Sequence, residues 1–117
     1  MNVETKCAHY GSRIVDQAAD RKKVETVTRN SLGVLREQGI FAFYLYLQYR
    51  SKEGGSLVWQ QVKALWRDQE VGPLMSGGGN DRQQVIALTK DLNDLLLARQ
   101  VAERALIYAL YGLRAGG

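Results

Sequence analysis

The sequence predicts an all-α protein, a compact bundle of five or six helices. Three observations lead there. In three long segments, apolar residues recur at spacings of three and four, the period of one helical face. Pro73 is the one proline among 117 residues, so little interrupts those segments. The aromatic-rich stretch 41–49 suits a strand by residue type, but no other segment offers it a partner strand, so it too is read as a helix.

Residues 1–11 show no periodicity and are expected to form a flexible N-terminal tail, leaving 12–117 as a single helical domain. Ser12 is placed to cap the first helix, its hydroxyl accepting from an unpaired N–H of the first turn. Over 13–38, Val24, Val27, Thr28, Ser31, Val34 and Leu35 mark one face. The weak helix formers Asn30, Ser31 and Gly33 leave open one bent helix or two joined ones. Gly39 is expected to end this region, because glycine takes a left-handed conformation at little cost.

In 41–49 only Gln48 is neither apolar nor aromatic, and five of the eight Phe and Tyr residues of the chain lie there. A segment apolar on every side is expected to be enclosed by other elements. It is far shorter than the ~20 residues that cross a bilayer. Residues 53–56 are expected as a loop, with Ser56 capping a helix over 57–70 whose apolar face is Val58, Val62, Leu65 and Trp66. Gly72 and Pro73 stop it, and 76–80 is a glycine-rich loop. Asp81 is expected to cap a long helical region to about Arg114. Its stripe runs Val85, Leu88, Leu92, Leu95, Leu96, Ala102, Leu106, Ala109, Leu110 and Leu113. Thr89, Asp91 and Asn93 mark a break within it, and Gly116 and Gly117 a stop.

Composition narrows the chemistry. A single cysteine, Cys7, excludes an internal disulfide framework and suits a reducing compartment. The first residues hold no apolar core of a secretory signal. A cytoplasmic protein without membrane contact is expected. The only histidine, His9, stands two residues from Cys7, and two ligands are too few for zinc. The acidic residues are scattered, with no pair placed on an apolar face as a general acid and base would be. Gly77, Gly78 and Gly79 lack the Gly-Lys-Ser/Thr ending of a phosphate-binding loop. No catalysis, no metal and no cofactor are expected.

Sixteen Lys and Arg against twelve Asp and Glu give a net charge of +4, which favours an anionic partner. Lys22, Arg29 and Arg36 are spaced by seven, about two helical turns, and Lys23 broadens the stripe. Successive members then stand about 10 Å apart, an interval suited to following a phosphate backbone. A solvated face opposite Val24 and Leu35 explains the same spacing. Arg50 and Lys52 follow the aromatic run. Lys63 and Arg67 stand at i and i+4, where like charges repel slightly unless an anion docks. Trp59 lies off its helix's apolar face. Exposed, it would be a stacking platform or a contact for another subunit; burial against a loop is the alternative. Arg99, inside the apolar stripe, has Glu103 one turn on, readable as a structural pair or a subunit contact.

Leu35-Arg-Glu-Gln-Gly-Ile40 leading into Phe41-Ala-Phe-Tyr-Leu45, then Ser51-Lys52, Trp59, Leu65-Trp66, Ala98-Arg-Gln-Val-Ala-Glu-Arg-Ala-Leu106 and Leu110-Tyr-Gly-Leu-Arg114 resemble a known family. It is the small all-helical subunit of the type III-B CRISPR (Cmr) RNA-targeting effector complex, over roughly 13–115. The type III-A small subunit is the family most easily confused with it. Gly112 departs from the pattern, in which a bulkier residue is usual, and the aromatic run is richer in Tyr. The resemblance implies a non-catalytic subunit that stacks with further copies of itself in a filament beside the other subunits. A basic face would line the channel holding the target RNA, while larger subunits hold the guide RNA and a different, repeated subunit cleaves. Lys22, Lys23, Arg29, Arg36, Arg50, Lys52, Lys63 and Arg67 are the candidate RNA contacts; Trp59, Arg99 and Glu103 are the candidate subunit contacts. A protein-interaction adaptor without direct RNA binding is the alternative. A helix-turn-helix DNA binder fits less well, for want of a short helix with exposed polar readers near its start.

Overall fold

A computed structural model describes residues 2–75 and 77–115. Among them are six α-helices, one 3-10 turn and no strand, so the chain is all-α as expected. The helices are α1 (Val3–Gln17), α2 (Arg21–Gln38), α3 (Ile40–Tyr49), α4 (Gly55–Arg67), α5 (Asp81–Leu88) and α6 (Leu92–Arg114); the turn Ser51–Glu53 joins α3 to α4. The Gly116–Gly117 stop and the first residue of the 76–80 loop lie outside the described residues.

The expected N-terminal tail is instead most of α1. Asn2 caps it, its side chain accepting from the Thr5 backbone N–H at 2.8 Å. Cys7, Gly11 and Ile14 are buried, so residues 3–11 are held against the core. Ser12 lies inside this helix and caps nothing. Gly11 matters because a Cβ there would stand 2.6 Å from the Ala105 carbonyl oxygen of α6. Gly112 answers it from α6, where a Cβ would stand 2.7 Å from Val15 Cγ2. The two glycines let α1 and α6 approach closely, which accounts for a small residue at 112.

The break in the first helical region falls at residues 18–20 and not at 30–33. Asp20 begins α2 by accepting from the Lys23 N–H at 3.1 Å, and the backbone stays helical through Asn30 and Gly33. Burial of Val27, Thr28, Ser31, Leu32 and Leu35 outweighs the weak propensity of those residues. Leu32 is buried, whereas Val34 is only half-buried. Gly39 ends α2 with φ of 93°, and its own N–H donates to the Leu35 carbonyl.

α3 buries Ile40, Phe43, Tyr44 and Leu47. It is not enclosed on every side: Leu45 is 44% and Tyr49 77% exposed. Nine residues at 100° each put Tyr49 half a turn from Ile40, on the open face with Leu45. The buried rings build the centre of the core. Phe43 lies 6.4 Å from Trp66, Trp66 5.7 Å from Trp59 edge-on, and Trp59 4.9 Å from Tyr44. Trp66 Nε1 donates to the Ala98 carbonyl at 2.9 Å, tying α4 to α6.

α4 starts at Gly55 with no side-chain cap, so Ser56 does not play that role. It ends at Arg67, before Gly72 and Pro73, and the chain folds back so that Leu74 and Met75 donate to the Trp66 carbonyl. Asn80, not Asp81, caps α5, in a reciprocal box with Gln83. The expected break before α6 is present, and Asp91 caps α6. Leu92 and Leu96 are exposed, so the α6 stripe reaches the core only further along the helix.

Phe43 has no exposed surface, and Phe43→Ala is expected to destabilise the fold by about 3–5 kcal/mol in urea unfolding.

Candidate nucleic-acid interface

The candidate RNA contacts separate into two groups once the helices are packed. Five are engaged with acceptors. Arg29 lies 3.6 Å from Glu25 one turn back, and Arg36 Nε donates to Glu103 at 2.9 Å. Arg50 meets Glu53 at 2.8 Å. Lys63 reaches Asp81 at 3.1 Å, while Arg67 lies 3.7 Å from Asp81 and donates to Gln84 at 3.2 Å. Lys22, Lys23 and Lys52 make no ion pair among the described residues and are exposed.

The three free lysines come together because the 3-10 turn packs beside the start of α2. A hollow of about 280 Å³ is lined by Asp20, Lys23, Val24, Ser51, Lys52 and Glu53. A second, of about 200 Å³, shares Lys23 and Glu53 and adds Lys22, Thr26 and Val27. The two form one groove with an apolar floor of Val24 and Val27. Its carboxylates are both occupied, Glu53 by Arg50 and Asp20 by the α2 N-terminus. That leaves an outward-facing excess of positive charge. Neither Asp20 nor Glu53 was expected here, since nothing in their spacing ties them to Lys22.

Lys22, Arg29 and Arg36 do lie along one face of an unbroken α2. The far end of that stripe is turned toward α6. Glu103 pairs with Arg36 and not with Arg99, whose guanidinium donates to the Arg36 carbonyl oxygen. The expected Arg99–Glu103 pair is therefore replaced by two links from α6 to the end of α2. A cation at this position also meets the negative end of the α2 dipole.

Trp59, expected as a subunit contact if exposed, is 2% exposed. Its Nε1 donates to Asp81 at 2.9 Å, so the ring is buried and its polar edge satisfied. Asp81 gathers Trp59, Lys63 and Arg67 from α4, and that pins α5 onto α4. Burial by itself would raise the Asp81 carboxyl; the hydrogen bonds from Trp59 and Lys63 and the charges of Lys63 and Arg67 outweigh it and lower its pKa. Asp68 fastens α1 to the end of α4 in a similar way, accepting from Tyr10 Oη at 2.8 Å and meeting Lys6 at 3.2 Å.

Cys7 is fully buried beside a cleft of about 420 Å³ between α1 and α6, and burial pushes its thiol up to about 11. His9 is exposed on the other side of α1. Among the described residues no group of three or more His, Cys, Asp or Glu is placed to hold a metal ion, and no helix is long and apolar enough to cross a membrane.

No protein-family model matches the chain, and neither the curated proteins nor the solved structures compared with it give a significant match.

Two outcomes follow from these environments. A carboxylate with a lower pKa folded than unfolded stabilises the fold above its unfolded value and loses that contribution as pH falls through the folded one. The Asp81 contribution is therefore present at neutral pH and lost below about pH 4. In urea unfolding, Asp81→Asn is expected to cost roughly 1 kcal/mol at pH 7 and to flatten the acid limb of the stability profile. Cys7 is expected to react with a disulfide reagent at pH 8 only when denaturant is present, because the native thiol is both protonated and covered.

Proposed function

We propose that this protein is a non-catalytic, RNA-binding structural subunit of a CRISPR RNA-guided effector complex of the type III-B (Cmr) kind. It lines the target-RNA channel with a basic face and stacks with further copies of itself. The observation that supports it best is the groove between α2 and the 3-10 turn, where Lys22, Lys23 and Lys52 converge without carboxylate partners. Lysines held on exposed helix ends suit sequence-independent contact with phosphates, whose spacing and charge do not depend on the base. Arg29 supplies a further contact along α2: its 3.6 Å pair with Glu25 is a surface interaction that a phosphate can replace. Arg36, Arg50, Lys63 and Arg67 are assigned mainly to holding the fold. Cytoplasmic residence and partnership with the other effector subunits belong to the same proposal.

The open face of α3 favours a second reading, a helical adaptor for another protein. Leu45 and Tyr49 expose large apolar surface there, with Phe41 half-buried beside them. Assembly that survives nuclease treatment and is lost in Leu45→Glu would favour the adaptor.

The lysine groove is tested by binding of a mixed-sequence single-stranded RNA over a range of salt. The parent is expected to show a slope of about −0.7 in log K against log salt for each phosphate contacted. Reversal of Lys22, Lys23 and Lys52 to Glu is expected to weaken binding at least about tenfold and to make the slope shallower by about 2. Unchanged affinity and slope in that variant would overturn the proposal.

A further inference from the structure

We propose that Tyr49 is a stacking platform for an unpaired base of a single strand whose backbone crosses the Lys22, Lys23 and Lys52 groove. This rests on the RNA-binding reading and specifies its ligand, a single strand with bases turned toward the protein.

Tyr49 ends α3 three residues before Lys52, so the ring and the groove belong to one continuous stretch of chain. At 77% exposed it is the most open of the large apolar side chains described, and no packing in the fold accounts for it. Its ring has one organised neighbour. The Arg50 guanidinium lies 5.1 Å from the ring centroid, in cation–π contact, and is itself tethered to Glu53 at 2.8 Å. One face of the ring is thus backed by a fixed cation while the rest is open to solvent. A base stacks on an aromatic ring through its π-face whatever its identity, which suits a sequence-independent site.

Charge selects this occupant over an apolar protein surface. A hydrophobic partner covering Tyr49 would also draw Lys52 and the α2 lysines, which make no ion pair, toward low dielectric. The groove's Glu53 and Asp20 are already engaged by Arg50 and the α2 N-terminus. A nucleic-acid strand brings one anion with every base. It also explains why the aromatic residue and the free cations occur together. A duplex keeps its bases stacked on one another, so the site discriminates in favour of unpaired strands.

The test measures affinity of the full chain for a short oligoadenylate and for an abasic strand of the same length. Tyr49→Leu is expected to weaken oligoadenylate binding by about 5- to 100-fold, the range expected for loss of one stacked base, and Tyr49→Phe by no more than about twofold. On the abasic strand, parent and Tyr49→Leu are expected to bind alike, a readout that a fold defect would not produce. Tyr111, 70% exposed on α6 and not part of the groove lining, is the control: Tyr111→Leu is expected to leave oligoadenylate binding unchanged.

Oligoadenylate binding by Tyr49→Leu equal to the parent would overturn the stacking role, leave the lysine groove standing, and return Tyr49 to the protein-contact face with Leu45. Equal losses in Tyr49→Leu and Tyr111→Leu, or equal losses on both strands, would overturn it too. A parent chain that binds neither strand would overturn the groove and the platform together.

Discussion

The corner between α3 and α4 depends on a contact that only glycine permits. A Cβ at Gly55 would stand 2.2 Å from the Leu47 carbonyl oxygen and 2.7 Å from that of Arg50, both backbone atoms unable to move aside cheaply. Gly54 before it takes φ of 109° and lies against Val24, where a Cβ would stand 3.1 Å from Cγ2. The pair lets α4 start directly against the end of α3, and it seats the 3-10 turn on α2. Trp59 and Trp66 consequently meet Phe43 and Tyr44, and Lys52 meets the start of α2. Core and groove thus share one backbone constraint.

Around that corner, charge does two kinds of work. Asp81 and Asp68 are each approached by several donors from other elements, and each ties its own segment to a neighbouring helix. Glu103 does the same for α2 and α6 through Arg36. These clasps engage Lys6, Arg36, Lys63 and Arg67, four of the sixteen Lys and Arg residues. Among the described residues Lys22, Lys23 and Lys52 make no ion pair at the groove, and Arg13, Arg82 and Lys90 make none outside its lining. Net charge therefore overstates the positive charge left unpaired, and pairing geometry defines it.

Much of the helical framework was legible beforehand. The α2 face of Val24, Val27, Thr28, Ser31 and Leu35, the role of Gly39 and the break before α6 all follow from period and local backbone preference. α1 was missed because its buried positions include Gly11, which carries no hydrophobic signal and is selected by close approach to Ala105. Trp59 was misplaced because helical periodicity identifies the side it projects from and not what covers that side. α5 covers it, held there by Asp81. Tyr49 had the opposite history. An uninterrupted apolar run conceals which member faces out, although its half-turn offset from Ile40 was already present in the numbering.

The sequence by itself determined the all-helical class and several helix limits, such as Gly39 and the break before α6, because these depend on residues close together along the chain. Only the tertiary structure decided which cations are free. Arg36 and Glu103 are 67 positions apart and Lys63 and Asp81 are 18 apart, so no local pattern announces their pairing. Lys23 and Lys52 likewise come to line one hollow only when the Gly54–Gly55 corner folds the turn onto α2. Electrostatic function depends on distance in space, and helix packing sets that distance.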